Sequence, residues 1–292
     1  LISEPYMNPF PIKPSIPKNL LAGLLMGIFF GVLAAYLRDY FDQTFKSVEE
    51  IKNDFNLAIL GEIPFVKSFE KVREENKSII EKLNFKLDSK VNISKEDSYQ
   101  RFFYQEAFRN LITSIKFLSI EDELKIIAIT SSIATEGKSL INIILSKTLA
   151  ESGKKVLLID ADLRKPQLHK RLGVNNLRGL SNLITDRNLN IEDVIVKIPQ
   201  MENINLIPAG IKPPDSTKIL GSQRMRELIS SLKRKSEFDF VIIDTPPILG
   251  LADAPLVSSY VDGVMLVVSL NCVNKKFTQQ SINRVLESRG QL

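Results

Sequence analysis

Tryptophan is absent from this 292-residue chain, and cysteine and histidine occur once each. Cys272 has no second thiol to bridge to and no company for a metal site, so the bulk of the chain is expected in a reducing compartment, the cytoplasm. His169 alone argues against a histidine-rich metal centre and against a Ser/His/Asp hydrolase with histidines to spare. Whatever chemistry the chain performs falls to Asp, Lys, Ser and Arg. Concentrated charge is also missing. The net charge is +5 and the isoelectric point about 9.1, yet the Lys and Arg are dispersed and no basic motif is interleaved with aromatics. Nucleic acid is therefore not expected as a partner, whereas an anionic membrane surface suits the same charge.

Charge vanishes altogether in Asn19 to Leu37, NLLAGLLMGIFFGVLAAYL. At a rise of about 1.5 Å per residue this run is close to the thickness of a bilayer's hydrocarbon core. A buried core helix or the apolar region of a signal peptide shares the pattern. The run is long for the second, and the Pro-punctuated lead LISEPYMNPFPIKPSIPK has no initiating Met, as in an excerpt from a longer protein. We expect a membrane helix over 19–38, preceded over 1–18 by the periplasmic, Pro-rich end of an ectodomain. Gly23, Gly27, Gly31 and Ala35 recur every four residues, a small-residue face on which two such helices can approach closely. Lys13 and Lys18 on one side and Arg38, Lys46 and Lys52 on the other barely set an orientation by charge. The nucleotide site inferred below puts the C-terminal side in the cytoplasm.

Residues 39–98 read as a juxtamembrane helix, a short apolar strand in NLAILGEIP closed by Gly61 and Pro64, and a charged linker from Lys67 to Asp97. From Tyr99 the pattern changes, and Phe102, Phe103, Ala107, Leu111, Ile115 and Leu118 predict an amphipathic helix. Strands and helices then alternate. KIIAITS, KVLLIDA, INLIPAG, FDFVIID and GVMLVVS are strands; KSLINIILSKTLAES, the stretch from Gln167 to Leu172, SQRMRELISSLKRK, DAPLVSSY and KFTQQSINRVLES are helices. Strands this apolar are buried on both faces. The fold class is therefore α/β over 99–292, a P-loop NTPase-like, mostly parallel sheet flanked by helices and preceded by one transmembrane helix, with ligands at the carboxyl ends of the strands.

After the first of these strands comes TSSIATEGKSLIN, residues 130 to 142. Gly137-Lys138-Ser139 is what a phosphate loop needs where a strand turns into a helix. Backbone N–H groups and the positive end of the helix dipole face the ligand, Lys138 reaches the β and γ phosphates, and the Ser139 hydroxyl ligates Mg²⁺. The front of the loop departs from the pattern, with Ser132 where a full P-loop starts with Gly and Thr135 where a further glycine would ease approach. Ser132, Thr135, Glu136, Gly137, Lys138, Ser139 and Leu140 are the expected ATP-binding set. Two more strands end in aspartate, at Asp160 and Asp162 in KVLLIDAD and at Asp244 in FDFVIID. A lone strand-end Asp is most simply a turn or cap. Three converging on one GKS have a purpose, since magnesium carrying phosphates is held by one or two carboxylates. Ser139, Asp162 and Asp244 are the expected metal set. Asp160 and Asp162, two apart on an extended segment, would divide the work of accepting a hydroxyl proton and orienting the metal. Arg164 is a candidate phosphate contact as readily as a solvated surface residue, and His169 is given no chemistry.

These stretches resemble the bacterial tyrosine kinases of capsule and exopolysaccharide synthesis, polysaccharide co-polymerases with a fused P-loop kinase domain. The resemblance runs through the Pro-rich lead, LRDYFDQTFKSVEEI, LGEIP, EAFRNL, the GKS loop, VLLIDADLRKPQLHK, IPAGIKPPDS, FDFVIIDTPPILGLADA and DGVMLVV, with IDADLRKP and IIDTPP the most specific. It implies ATP and Mg²⁺ bound through Lys138 and Ser139, catalytic and metal roles for Asp160 and Asp162, and metal binding by Asp244. It also implies an inner-membrane protein with a cytoplasmic kinase domain, homo-oligomers that phosphorylate the tyrosine tails of neighbouring subunits, and work beside polysaccharide polymerase and export machinery. The family loop usually reads SSxPGEGKST, whereas here Ala134 and Thr135 stand for the Pro-Gly and Leu140 for the second hydroxyl residue. Of the family's Glu-x-x-Arg-x-x-Arg helix, Glu106 and Arg109 are present and Ile112 replaces the second arginine. No tyrosine follows Tyr260, and the closing part of the sheet and a tyrosine tail are expected beyond Leu292.

The first reading is thus an ATP- and Mg²⁺-dependent tyrosine autokinase governing the chain length, polymerisation and export of a surface polysaccharide. A second, favoured by Ala134, Thr135 and Ile112, is a chain-length regulator that binds nucleotide without transferring phosphate. A partition-type positioning ATPase comes third, because the stretch from Ser131 to Glu136 lacks the extra lysine of such proteins and the membrane span argues against it.

Overall fold

The computed structural model describes residues 15–65, 95–118, 124–199 and 201–288. Most of the expected ectodomain end and of the charged linker lies outside these residues. The chain divides into two compact units, Leu1–Thr44 and Phe45–Leu292. In the first, α1 (Ile16–Phe41) is a 26-residue helix with Pro17 in its opening turn, where a missing N–H costs nothing. At about 1.5 Å per residue it is roughly 39 Å long. No residue of it is buried, and it is long and apolar enough to cross a membrane. Nothing lies within 4 Å of a Cβ built on Gly23, Gly27 or Gly31, so their face is open.

The second unit begins with Phe45, fully buried and edge-on to Phe55. Helix α2 (Val48–Phe55) starts where the Ser47 hydroxyl accepts the Glu50 N–H, carries Glu49 and Glu50 in its first turn and stops at left-handed Asn56. The strand expected in NLAILGEIP does not form: residues 56 to 65 have no ladder partner among the described residues. Gly61 and Pro64 interrupt an apolar run too short to hold an edge, and Leu60 and Ile63 instead pack on the core. Helix α3 (Lys95–Leu118) starts earlier than expected and turns a different face inward. Tyr104, Phe108, Leu111, Ile112 and Ile115 are buried, while Phe102, Phe103 and Leu118 are exposed. Spacings of three and four select this stripe, and Phe102 and Phe103 fall to its outer side. Ile112, the arginine replacement, is therefore a core residue.

The domain then alternates β1 (Ile126–Ser131), α4 (Lys138–Glu151), β2 (Val156–Asp160), α5 (Leu168–Arg171), α6 (Leu180–Thr185), β3 (Val196–Lys197), β4 (Ile204–Ile207), α7 (Ser216–Leu220), α8 (Gln223–Arg234), β5 (Phe240–Asp244), α9 (Asp253–Ser258), β6 (Gly263–Val267) and α10 (Lys275–Glu287). The sheet order is β3-β4-β2-β5-β1-β6. Every neighbouring pair is parallel except β3 with β4. The antiparallel β3, two residues long, was not anticipated; so short a segment shows no periodicity to read. Alternate strand residues feed two cores. Ile127, Ile129, Leu158 and Ile242 meet α3 and α4 on one face; Ile126, Ala128, Leu157 and Ile243 meet α6, α8 and α9 on the other. Burial on both sides fixes the strands, so the residues at their carboxyl ends are held in register, Asp160 opposite Asp244.

Candidate nucleotide site

Helix α4 opens at Lys138, directly after Gly137 at φ 86°, a left-handed conformation that glycine adopts without steric cost. A Cβ built there would meet nothing within 4 Å, so the turn borders open space. Lys138 is buried and its ammonium pairs with the buried Asp244 carboxylate. The Ser139 hydroxyl donates to Asp244 Oδ2 at 2.9 Å and the Asn142 amide to Oδ1 at 2.7 Å. Asp244 thus gathers three donors from the first two turns of α4. Asn142 lay outside the expected set, although its place four residues after Lys138 puts the two on one helix face.

Asp160, the strand neighbour of Asp244, is fully buried. Its carboxylate accepts the N–H groups of Asp162 and Leu168, both at 3.2 Å. Burial, and then the charges of Asp244 and Asp162, push it well above the usual carboxylate range. Asp162 accepts the Lys165 N–H at 3.0 Å and is also raised, chiefly by burial. Carboxyls shifted upward beside a lysine at a strand end are candidates for proton exchange with a ligand. Arg164 is taken up elsewhere: its guanidinium bonds both oxygens of the fully buried Asp253 and, at 3.3 Å, the Thr217 hydroxyl. Ser216 and Thr217 donate to the same Asp253, so this arginine ties the segment after β2 to the starts of α7 and α9. Nothing in the spacing of Asp253 announced that tie. His169 is partly buried and burial lowers its pKa.

The front of the loop is held by its own side chains. Ser131 Oγ donates to the Ile133 carbonyl at 2.8 Å, and the buried Ser132 hydroxyl has no partner among the described residues. Thr135 sits at φ 82°, a region that a β-branched residue occupies only under strain. The Glu136 carboxylate, placed with the ATP-binding residues by sequence, accepts the N–H groups of Ile133 at 2.8 Å and Ser269 at 3.1 Å. Leu140 packs half-buried on the core. The donors for a metal are a hydroxyl and carboxylates, hard oxygen ligands that suit Mg²⁺. No group of three His, Cys, Asp or Glu fit to cage a cation occurs among the described residues.

A mostly parallel sheet of this order with a glycine-lysine-serine turn opening the helix after β1 is a P-loop nucleotide-binding domain. An AAA-domain family model matches residues 124–288. The tyrosine-protein kinase YwqD of Bacillus subtilis (strain 168) is 36% identical over 171 residues, 59% of this chain and 70% of that protein. The tyrosine-protein kinase wzc of Salmonella typhi is 28% identical over 285 residues, 97% of this chain; the chain spans 38% of that protein's length. Among solved structures, the kinase domain of the Escherichia coli tyrosine kinase ETK matches with a TM-score of 0.70 and 27% identity, over 84% of this chain and 91% of that one. The chain belongs to the bacterial tyrosine-kinase family of capsular-polysaccharide systems.

Proposed function

We propose that the chain is the membrane-anchored kinase part of a protein-tyrosine autokinase that governs polymerisation, chain length and export of a surface polysaccharide. The assigned parts are an ectodomain end over 1–18, an inner-membrane helix over 19–38, a juxtamembrane segment and linker over 39–98 and a cytoplasmic kinase domain over 99–292. The observation that carries the reading is the convergence of Lys138, Ser139 and Asn142 on Asp244 beside Asp160 and Asp162. With ATP bound, Lys138 exchanges Asp244 for the β and γ phosphates and the amides at the start of α4 take the remaining phosphate oxygens. Ser139 and Asp244 with Asp162 would hold Mg²⁺, which would neutralise charge on the transferred group. Asp160 or Asp162 takes the proton of the acceptor phenol as the tyrosine oxygen bonds the γ-phosphorus and the bond to ADP breaks. The acceptor is a tyrosine of a neighbouring copy, and the partners are the polymerase and export machinery of the polysaccharide.

The test is an ATP titration of the full-length protein with and without Mg²⁺, alongside phosphotyrosine formation, for the parent, Lys138→Ala and Asp160→Asn. Lys138→Ala should lose ATP binding. Asp160→Asn should keep it and lose about two to four powers of ten in transfer. Equal ATP affinity in the parent and Lys138→Ala would dismiss the site. ATP bound by a parent protein that forms no phosphotyrosine would dismiss the transfer step and leave the nucleotide site standing.

A further inference from the structure

Glu136 lies one residue before the glycine of the phosphate loop, yet both of its oxygens are engaged by backbone. Oε2 accepts the Ile133 N–H at 2.8 Å and Oε1 the Ser269 N–H at 3.1 Å. The residue is 7% exposed. Ile133 belongs to the loop leaving β1, and Ser269 to the loop leaving β6, the next strand in the sheet. One side chain therefore ties two neighbouring strand-end loops together, across 133 positions of sequence.

Thr135, at φ 82°, lies inside the turn from Ile133 to Glu136 that the first of these bonds closes. Left-handed backbone costs an L-residue about 1–2 kcal/mol, and such conformations persist only where surrounding contacts over-determine them. Through Ile133 Glu136 closes the turn that contains Thr135, and through Ser269 it anchors that turn to the neighbouring loop. A free carboxylate among the phosphate contacts would also repel the ligand. Bound at both oxygens by amides, it acts on the loop and not on the ligand.

We propose that Glu136 is a positioning residue of the nucleotide site: by bridging Ile133 and Ser269 it holds the loop in the conformation that Thr135 resists, and so presents Lys138 and the first amides of α4 to the phosphates. The proposal rests on the nucleotide reading above. It differs from a direct ATP contact in predicting coupling between Glu136 and Thr135.

The experiment is a titration of the full-length protein with fluorescent ATP and Mg²⁺, together with steady-state tyrosine phosphorylation, for the parent, Glu136→Gln, Thr135→Gly and the double variant. Glu136→Gln keeps the shape but turns an NH₂ toward one of the two N–H donors. It should weaken ATP binding and raise the KM for ATP about tenfold, the equivalent of one hydrogen bond, with kcat at saturating ATP within about twofold of the parent. In the Thr135→Gly background, where the loop needs no holding, the same change should cost about threefold or less. Unchanged affinity in Glu136→Gln overturns the proposal, as does the same loss in both backgrounds or a fall in kcat with KM unchanged. No ATP binding by the parent overturns the nucleotide reading and this proposal with it, whereas binding by the parent that is indifferent to Glu136 overturns this proposal alone.

Discussion

Replacing Asp244 with alanine removes the acceptor of three donors at once: the Lys138 ammonium, the Ser139 hydroxyl and the Asn142 amide. The ammonium decides the magnitude. Its side chain is 8% exposed and that of Asp244 1%, so the lysine cannot recover its hydration where it sits. Breaking a buried pair by deleting one partner costs about 3–5 kcal/mol. One effect opposes this. Asp160 is disfavoured as an anion by Asp244 and favoured by Lys138, so without Asp244 it ionises more readily and partly replaces the lost charge. The expected loss is then about 2–4 kcal/mol, with melting lowered by roughly 2–4 °C for each kcal/mol in a domain of this size. Asp244→Asn, which keeps an oxygen and the volume, should lose about half as much. Thermal and urea unfolding of the purified chain measure both. ATP without Mg²⁺ offers the stranded ammonium a new anion, so it should raise the melting temperature of Asp244→Ala more than that of the parent. A loss below about 1 kcal/mol would refute the claim that the buried Lys138 ammonium depends on Asp244 for its neutralisation.

Three further outcomes follow from the same geometry. Asp162 is buried and its carboxyl is held above the ordinary range, so its charge is a burden that is absent in acid and grows as pH rises from the ordinary carboxylate value through the raised folded one. Asp162→Asn, which preserves the acceptor for the Lys165 N–H, should therefore gain about 1 kcal/mol in the nucleotide-free protein at neutral pH and little in acid, as pH-dependent melting will report. Gly210 is at φ 80°, and a Cβ there would lie 2.4 Å from Asn182 Oδ1 and 2.7 Å from Ser181 Oγ; Gly210→Ala should cost at least about 2 kcal/mol in urea unfolding. Tyr104 is buried and the Tyr260 hydroxyl donates to the Leu220 carbonyl, so mass-spectrometric mapping of phosphotyrosine should find neither residue modified in the folded protein.

What was legible in the sequence depended on the range of the interaction. Five strands could be read because each is a continuous apolar run between turn residues, and being buried on both faces leaves a mark on every position. The same rule misled in NLAILGEIP, where the apolar run exists but the ladder partner does not, and it was blind to β3. On sequence alone Phe102 and Phe103 look like the anchors of α3, whereas the inward stripe is set by what the sheet and α4 offer Tyr104 and Phe108. At the site, Lys138, Ser139 and Asp244 were found together because strand ends of a parallel sheet converge by topology alone. The grip of Glu136 on Ser269 and of Arg164 on Asp253 joins residues 133 and 89 positions apart. Neither has a local pattern, so on sequence alone Arg164 reads as a phosphate contact or a surface residue and Glu136 as an ATP contact.

The two margins of the sheet are finished differently. On one side β3 is a two-residue antiparallel strand that includes Lys197, too short and too charged to template another chain. On the other, β6 has β1 on its inner side and no strand on its outer side among the described residues. An open margin invites strand addition, and a blunt one refuses it. A further strand, whether of this chain or of another, would therefore join the sheet at β6 and be refused at β3.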